Sequence, residues 1–556
     1  MKTALFACTL VGALVCADLA PRATAAEPIY GGLGSHSWKI STRSPEAQRY
    51  FDQGLAWFYG FHHGAAIRSF EEAVRLDPEC AMAHWGIALA LGPHINVPMM
   101  PPPAVEKAWQ SLGLARQHAG GASPLERELI EALATRYANP QPQDRSPLDR
   151  AYAEAMKAVW SRYPSHADVG ALYAESVMTL SPWNQWTADG RAQPGTEEAL
   201  AALDAVLKLD INHPFANHLY IHAMEASAAP QRAVAAADRL RDLQPGLPHN
   251  VHMPSHIDIR NGRWHEAITA NVKAIEAARR LRAAGGPPPQ GPIYLYNAHN
   301  YHMLAYSAMM TGQRELAVDH IRRMVASLPD DFLKSYALVA DAYVAMPYEV
   351  LLRFGRWDEV LAEPDHAEHL PFARAMRLAA RGVAHAAKGD PAVARREQAA
   401  FSAMAKTIPQ GTSAGPVDVQ TIIAVVTPML EGEILYREGN RDAGLAKLRE
   451  AVQAEDALRY FEPPAWFLPV RHALGASLMQ SGLYAEAEQV YREDLRRLPE
   501  NGWSLFGLAE SLRVQRKAGE ADAVEARFKT VWNAADVQIR SSCFCQPGVG
   551  VEFADL

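Results

Sequence analysis

The sequence predicts an all-α protein built as a solenoid of stacked helix pairs, and three observations predict it. Strong helix formers, alanine above all, dominate the 556 residues, while runs of β-branched residues are scarce. Apolar residues recur at i, i+3, i+4 and i+7, the spacing of one buried helix face. A small–large residue pattern also returns along the chain at the length of a helix hairpin. A chain of 556 residues is too long for one compact core, so several domains or one long array are expected.

The first copy of the pattern runs from Ala47 to Pro78. Gly54 stands where two helices touch, and Trp57 follows it. Ala66 comes twelve residues after Gly54, then Phe70 and Ala73 at helical spacing, with Asp77-Pro78 as a stop. Small residues let the helices approach, large ones fill the gap, and proline ends the second helix. The pattern returns with Gly475, Ala487, Tyr491 and Pro499, with Ala305, Ala317, Ile321 and Pro329, and with Ala233, Leu240 and Pro245. Gly432, Leu435, Leu448 and Ala451 form a looser copy. These segments resemble tetratricopeptide repeats over most of residues 45–535. The resemblance implies a right-handed superhelical solenoid with loop insertions, expected at 98–103, 181–196 and 284–292.

Residues 1–26 read as a signal peptide. Lys2 is followed by an apolar run from Ala4 to Val15 and by the small residues Ala23-Thr24-Ala25. The mature protein is therefore expected to be periplasmic or secreted. An N-terminal extension (27–44), a first repeat array with most of the histidines (45–365), a second array (366–540) and a tail (541–556) follow. No later stretch reads as apolar over the 18 or more residues that a membrane span needs. A net charge of −8 without a basic run argues against nucleic-acid binding. Cys80, Cys543 and Cys545 do not make a disulfide framework, and Cys543-Phe544-Cys545 is a candidate metal or electron-transfer pair.

The 21 histidines are clustered. His218 and His222 are i,i+4 neighbours, as are His252 and His256, while His249 and His252 are i,i+3. Each pair projects from one helix face, a spacing that lets two imidazoles share one metal ion. The repeat register aligns them further. Fifteen residues before Ala233, Ala267 and Ala317 stand His218, His252 and His302. Eleven before the same alanines stand His222, His256 and Tyr306, and eighteen before the last two stand His249 and His299. In tetratricopeptide proteins these first-helix positions line the concave groove, so the resemblance implies a groove site for a small molecule or a peptide.

Glu225 shares a face with His222, while Glu175 and Glu349 occupy the same register in other repeats and are expected to flank the histidine rows. These carboxylates and Tyr306 are the candidate acid/base or ligand-orienting groups. His62-His63 is read as an exposed turn, and His472 as a distant residue in the same register that is expected to be solvated, with facing the site across the superhelix as the alternative. A metal-free groove or simple packing are the competing readings of the row, but core positions would ordinarily be apolar.

Asp52-Gln-Gly-Leu, Phe70-Glu-Glu-Ala, Met82-Ala-His-Trp-Gly-Ile-Ala, His252-Met-Pro-Ser-His256 and Glu462-Pro-Pro-Ala-Trp466 are similar to strings in a group of exported bacterial tetratricopeptide proteins. Asp258 departs from the aromatic residue expected there. The resemblance supports fold and site but leaves the reaction open. Imidazole suits copper, zinc, iron and nickel. A histidine-only set from several helices favours one or two copper ions and an oxidoreductase acting on a small organic or phenolic substrate. A zinc hydrolase with Glu225 or Glu349 as base is the second reading. A scaffold or metal chaperone without catalysis is the third. No nucleotide loop, serine-nucleophile elbow or haem-attachment motif is present.

Overall fold

The computed structural model describes residues 27–286, 289 and 291–546. The expected signal peptide and most of the expected tail lie outside them. The described residues are all-α: paired helices throughout, plus one two-stranded ribbon of Ser413–Ala414 with Val417–Asp418.

The first hairpin shows why the sequence folds this way. Helix α1 (Pro45–Tyr59) starts on proline, and the Ser44 hydroxyl accepts the Ala47 N–H at 3.1 Å. Helix α2 (His63–Leu76) returns against it and stops before Asp77. A Cβ at Gly54 would lie 2.4 Å from the Phe70 ring, and one at Gly86, in α3 (Ala81–Ala90), 2.8 Å from it. Phe70 is thus held between two glycines of successive first helices. Tyr491 repeats this between Gly475 and Gly507, where added Cβ atoms would lie 2.4 and 2.2 Å away. The small–large pattern is the contact surface of a helical repeat protein.

By residue contacts the chain forms two compact units. The first holds residues up to Ile257 together with Val272–Asn297. After α3 it pairs α4 (Pro102–Gln117), α5 (Pro124–Ala134) with α6 (Ser146–Arg162), α7 (Ala167–Met178) with α8 (Thr196–Leu209), and α9 (Pro214–Met224) with α10 (Val234–Leu243). The second unit holds Asp258–Asn271 and the residues from Ala298 onward. This partition is a different one from the repeat-array boundary at 365/366. The insertions at 98–103 and 181–196 fall in the connections between helices or at their edges, while the one expected at 284–292 lies in part outside the described residues.

Among the described residues one helix, Val419–Arg437 in the second unit, meets the length and composition of a span, although Thr, Pro, Gly and Glu interrupt its apolar run. It is mostly buried and packs against Arg441–Asp456 and Pro371–Ala387, as a core helix does. Cys543 and Cys545 are joined by a disulfide, so neither is a free thiol.

Candidate metal centre

Helix α9 carries His218 and His222 one turn apart, both buried. After α10 the chain enters α11 (Pro248–His252), which carries His249 and His252. Pro254, with no N–H to donate, interrupts the helix at Met253 and opens the next one, Pro254–Arg260, from which His256 projects. The five imidazoles of these elements are all within the first unit. One ring nitrogen from each of His218, His222 and His249 lies within 4.8 Å of the other two.

Tautomers can be assigned from hydrogen-bond partners. His218 Nδ1 lies 2.7 Å from the Tyr59 carbonyl oxygen, which only accepts, so the ring proton sits on Nδ1. His222 Nδ1 lies 3.0 Å from Glu225 Oε1, so its proton sits there too. Both Nε2 atoms therefore present lone pairs, yet they face each other at 3.1 Å. Two lone pairs at that distance repel unless a cation lies between them. Ligands about 2.0–2.1 Å from one tetrahedral ion stand roughly 3.3 Å apart, close to what is seen. His249 Nε2 is buried without a hydrogen-bond partner among the described residues. Burial, reinforced by the neighbouring imidazoles, lowers the pKa of His218 and His249 well below the ordinary histidine value, so both stay neutral.

A second Nε2 pair stands beside the first. His252 Nε2 and His256 Nε2 are 2.8 Å apart. Glu225, the C-cap of α9, joins the two pairs: Oε1 meets His222, and Oε2 lies 2.7 Å from His256 Nδ1, a charge contact off hydrogen-bond alignment. Burial alone would raise the Glu225 pKa, but His222 and His256 outweigh it and bring it to about 2. With both oxygens occupied, Glu225 orients imidazoles, as carboxylates behind metal-bound histidines do.

The wall around the set was not legible in the sequence. Phe61 ends the α1–α2 turn with φ +56°, a left-handed conformation that costs a bulky residue about 1–3 kcal/mol. Its ring lies 4.5 Å from His218, 5.7 Å from His222, 5.6 Å from His249 and 5.1 Å from His94. His63 and His94 are 4.0 Å apart between centroids. The exposed turn expected at His62-His63 is thus corrected. His62 is buried, and burial lowers His62 to about 4 and His63 to about 3. Trp183, from the 181–196 insertion, meets His222 edge-on at 5.7 Å.

The other candidates lie elsewhere. Glu175 is buried, accepts the Thr179 hydroxyl at 2.9 Å and interacts with Arg136; burial raises its pKa. Its partners are thus not imidazoles. His299, His302, Tyr306 and Glu349 belong to the second unit. His302 stacks on Phe467 at 4.9 Å, and neither of its ring nitrogens has a hydrogen-bond partner among the described residues. His299 lies 6.0 Å from His302 between centroids. Tyr306 is fully buried beside Trp264 and Phe467. Glu349 accepts the Phe467 N–H at 2.7 Å, and burial pushes its pKa up to about 8. His472 is neither solvated nor groove-lining: it is buried, 2.9 Å from Asp494 and 2.8 Å from Arg353.

A further cluster, His36, Asp168 and His213, has the composition of a metal triad but not its protonation. His213 Nδ1 accepts the Ala216 N–H at 3.2 Å, which puts the proton on Nε2, facing Asp168 Oδ1 at 3.2 Å. A protonated nitrogen cannot ligate. Asp168 also takes the Tyr59 hydroxyl at 2.6 Å and His36 at 2.7 Å. Burial would raise Asp168, but His213 and His36 keep it below the usual carboxylate range. The cluster is a structural ion pair that anchors Tyr59, whose carbonyl holds His218.

No family model matches the sequence, and no curated protein is significantly similar to it. Among solved structures the chain is similar to a human IFIT1 dimer with PPP-AAAA, with 10% identity over 88% of this chain and 92% of that one and a TM-score of 0.35. It is also similar to the APC/C hetero-tetramer Cut9-Hcn1, with 13% identity over 84% and 76% and a TM-score of 0.31. At these scores neither likeness bears on the site.

Proposed function

We propose that the chain is an exported metalloprotein, and that His218, His222 and His249 hold a transition-metal ion through neutral imidazole nitrogens. The observation that carries this reading is the 3.1 Å approach of two Nε2 lone pairs whose protons are fixed on the opposite ring nitrogens. The unpartnered His249 Nε2 is the natural third donor. His252 and His256, coupled through Glu225, are positioned to take a second ion.

An all-imidazole donor set favours copper over zinc or iron, and with it an oxidoreductase acting on a small organic or phenolic substrate. A bound copper would supply one-electron exchange. The chain's own residues supply the rest. Tyr59 and Glu225 fix the imidazole orientations, Phe61 and Trp183 keep an apolar wall against them, and burial keeps His218 and His249 neutral. Both Glu225 oxygens lie against imidazole nitrogens, which counts against a zinc hydrolase that relies on it as base. A metal chaperone or scaffold is the remaining alternative.

Copper-loaded and zinc-loaded protein should be compared for oxygen uptake over a panel of phenols. Uptake with copper alone supports the oxidoreductase. Substrate turnover with zinc under anaerobic conditions would replace it with the hydrolase. Tight metal binding with neither activity would leave a metal-carrying protein.

A further inference from the structure

Away from the imidazole lone pairs, the first unit contains a cavity lined by Tyr30, Trp57, His62, Arg68, Leu281 and Arg282, among others. Two of its side chains are more than nine-tenths buried and carry a nitrogen without a hydrogen-bond partner among the described residues: Trp57 Nε1 and His62 Nε2. Leaving such groups unpaired is costly, so a buried pair in one cavity points to something that pairs with them. Among the described residues Arg68 meets the Glu27 carboxylate through Nε at 3.2 Å, and neither terminal nitrogen has a hydrogen-bond partner.

The chemistry of these donors names the ligand. An indole N–H and a guanidinium donate and never accept. They fit a carboxylate and disfavour an amine. The cavity measures about 60 Å³. At about 10–15 Å³ per water-sized occupant, it takes a group of roughly four to six heavy atoms, room for a carboxylate head and the carbons next to it. A second cleft of about 370 Å³ shares Tyr30 and Leu281 with it and is walled by Pro245 and Ala277, room for an apolar body. The smaller of the two spaces adjoins the histidine set along the chain, since His62 follows Phe61 and Pro248 precedes His249.

We propose that this cavity and cleft form a binding site for a monocarboxylate with an apolar chain, its head on Trp57, His62 and Arg68 and its body along Tyr30 and Leu281. The proposal does not depend on the metal reading.

Isothermal titration of the full mature chain with octanoate, octanol and octylamine tests it. Octanoate should bind about tenfold or more tightly than the other two, the worth of a charge-assisted hydrogen bond. Trp57→Phe keeps the apolar wall but removes the donor, and Arg68→Gln removes the charge. Each should weaken octanoate about tenfold while leaving octanol unchanged. The His252→Ala/His256→Ala variant should bind octanoate like wild type, which separates this site from the metal centre. Because Arg68 also holds Glu27, circular dichroism must show that Arg68→Gln is folded; Trp57→Phe carries the test if it is not. Equal binding of octanoate and octanol, unaltered octanoate affinity in Trp57→Phe, or no binding up to about 1 mM would overturn the proposal and leave ordered water as the partner of these nitrogens.

Discussion

Glu225→Gln should damage the metal centre out of proportion to the change in shape. The carboxylate holds an imidazole at each end: Oε1 accepts from His222 Nδ1 at 3.0 Å, and Oε2 lies in charge contact with His256 Nδ1 at 2.7 Å. A glutamine in its place has one accepting and one donating end. Whichever imidazole faces the NH2 group must turn its lone pair toward it, which moves the ring proton to Nε2. That histidine then cannot ligate. Loss of a carboxylate behind a metal-bound histidine typically costs about 10–100-fold in affinity, or roughly 1.4–2.7 kcal/mol. The assay is competition with a chelator of known affinity, run on wild type, Glu225→Gln and Glu225→Ala. Glutamine should be no better than alanine, because the defect lies in the tautomer. An affinity for Glu225→Gln within twofold of wild type would refute the protonation scheme on which the site rests.

Three further outcomes are expected. Gly475→Ala places a Cβ 2.4 Å from the Tyr491 ring, which Gly507 blocks from retreating, and should cost about 1–3 kcal/mol in urea unfolding; an unchanged midpoint would contradict the packing account. His213→Ala should cost about 3 kcal/mol in urea unfolding by leaving buried Asp168 short of a partner; an unchanged midpoint would contradict the structural role given to the His36–Asp168–His213 cluster. Glu349 has a folded pKa raised to about 8, against about 4.3 when unfolded. Between those values the unfolded chain has lost a proton that the folded chain keeps, so stability falls as pH rises, by at most ~1.4 kcal/mol per unit, and the effect is flat outside the window. Glu349→Gln should remove that slope, and parallel wild-type and variant curves over the window would argue against it.

The repeat was legible because close helix approach leaves a mark in composition: Gly54 with Phe70 and Gly475 with Tyr491 were read as contacts and are contacts. The i,i+3 and i,i+4 spacing of His218, His222, His249, His252 and His256 was legible because helical geometry fixes which side chains share a face. What escaped was carried by the backbone or by distant turns. The partner of His218 is the carbonyl of Tyr59, 159 residues away, and a main-chain oxygen leaves no trace in residue identity. Phe61 and His94 lie in connections and His63 is the first residue of α2, where no periodicity reports burial. Glu175 shares the register of the histidines, but its neighbour is Arg136, so the same register position met a different partner. His472 shows the same limit: its register matches, but its surroundings, Asp494 and Arg353, make it part of an ion network.

The most direct test of the central claim is the metal content of the purified protein, measured beside His218→Ala and His249→Ala variants of confirmed helicity. The account predicts one to two equivalents of a transition metal in wild type and a loss of at least one equivalent in each variant. Wild type that stays metal-free after reconstitution with copper and with zinc, or variants that keep the full complement, would contradict it.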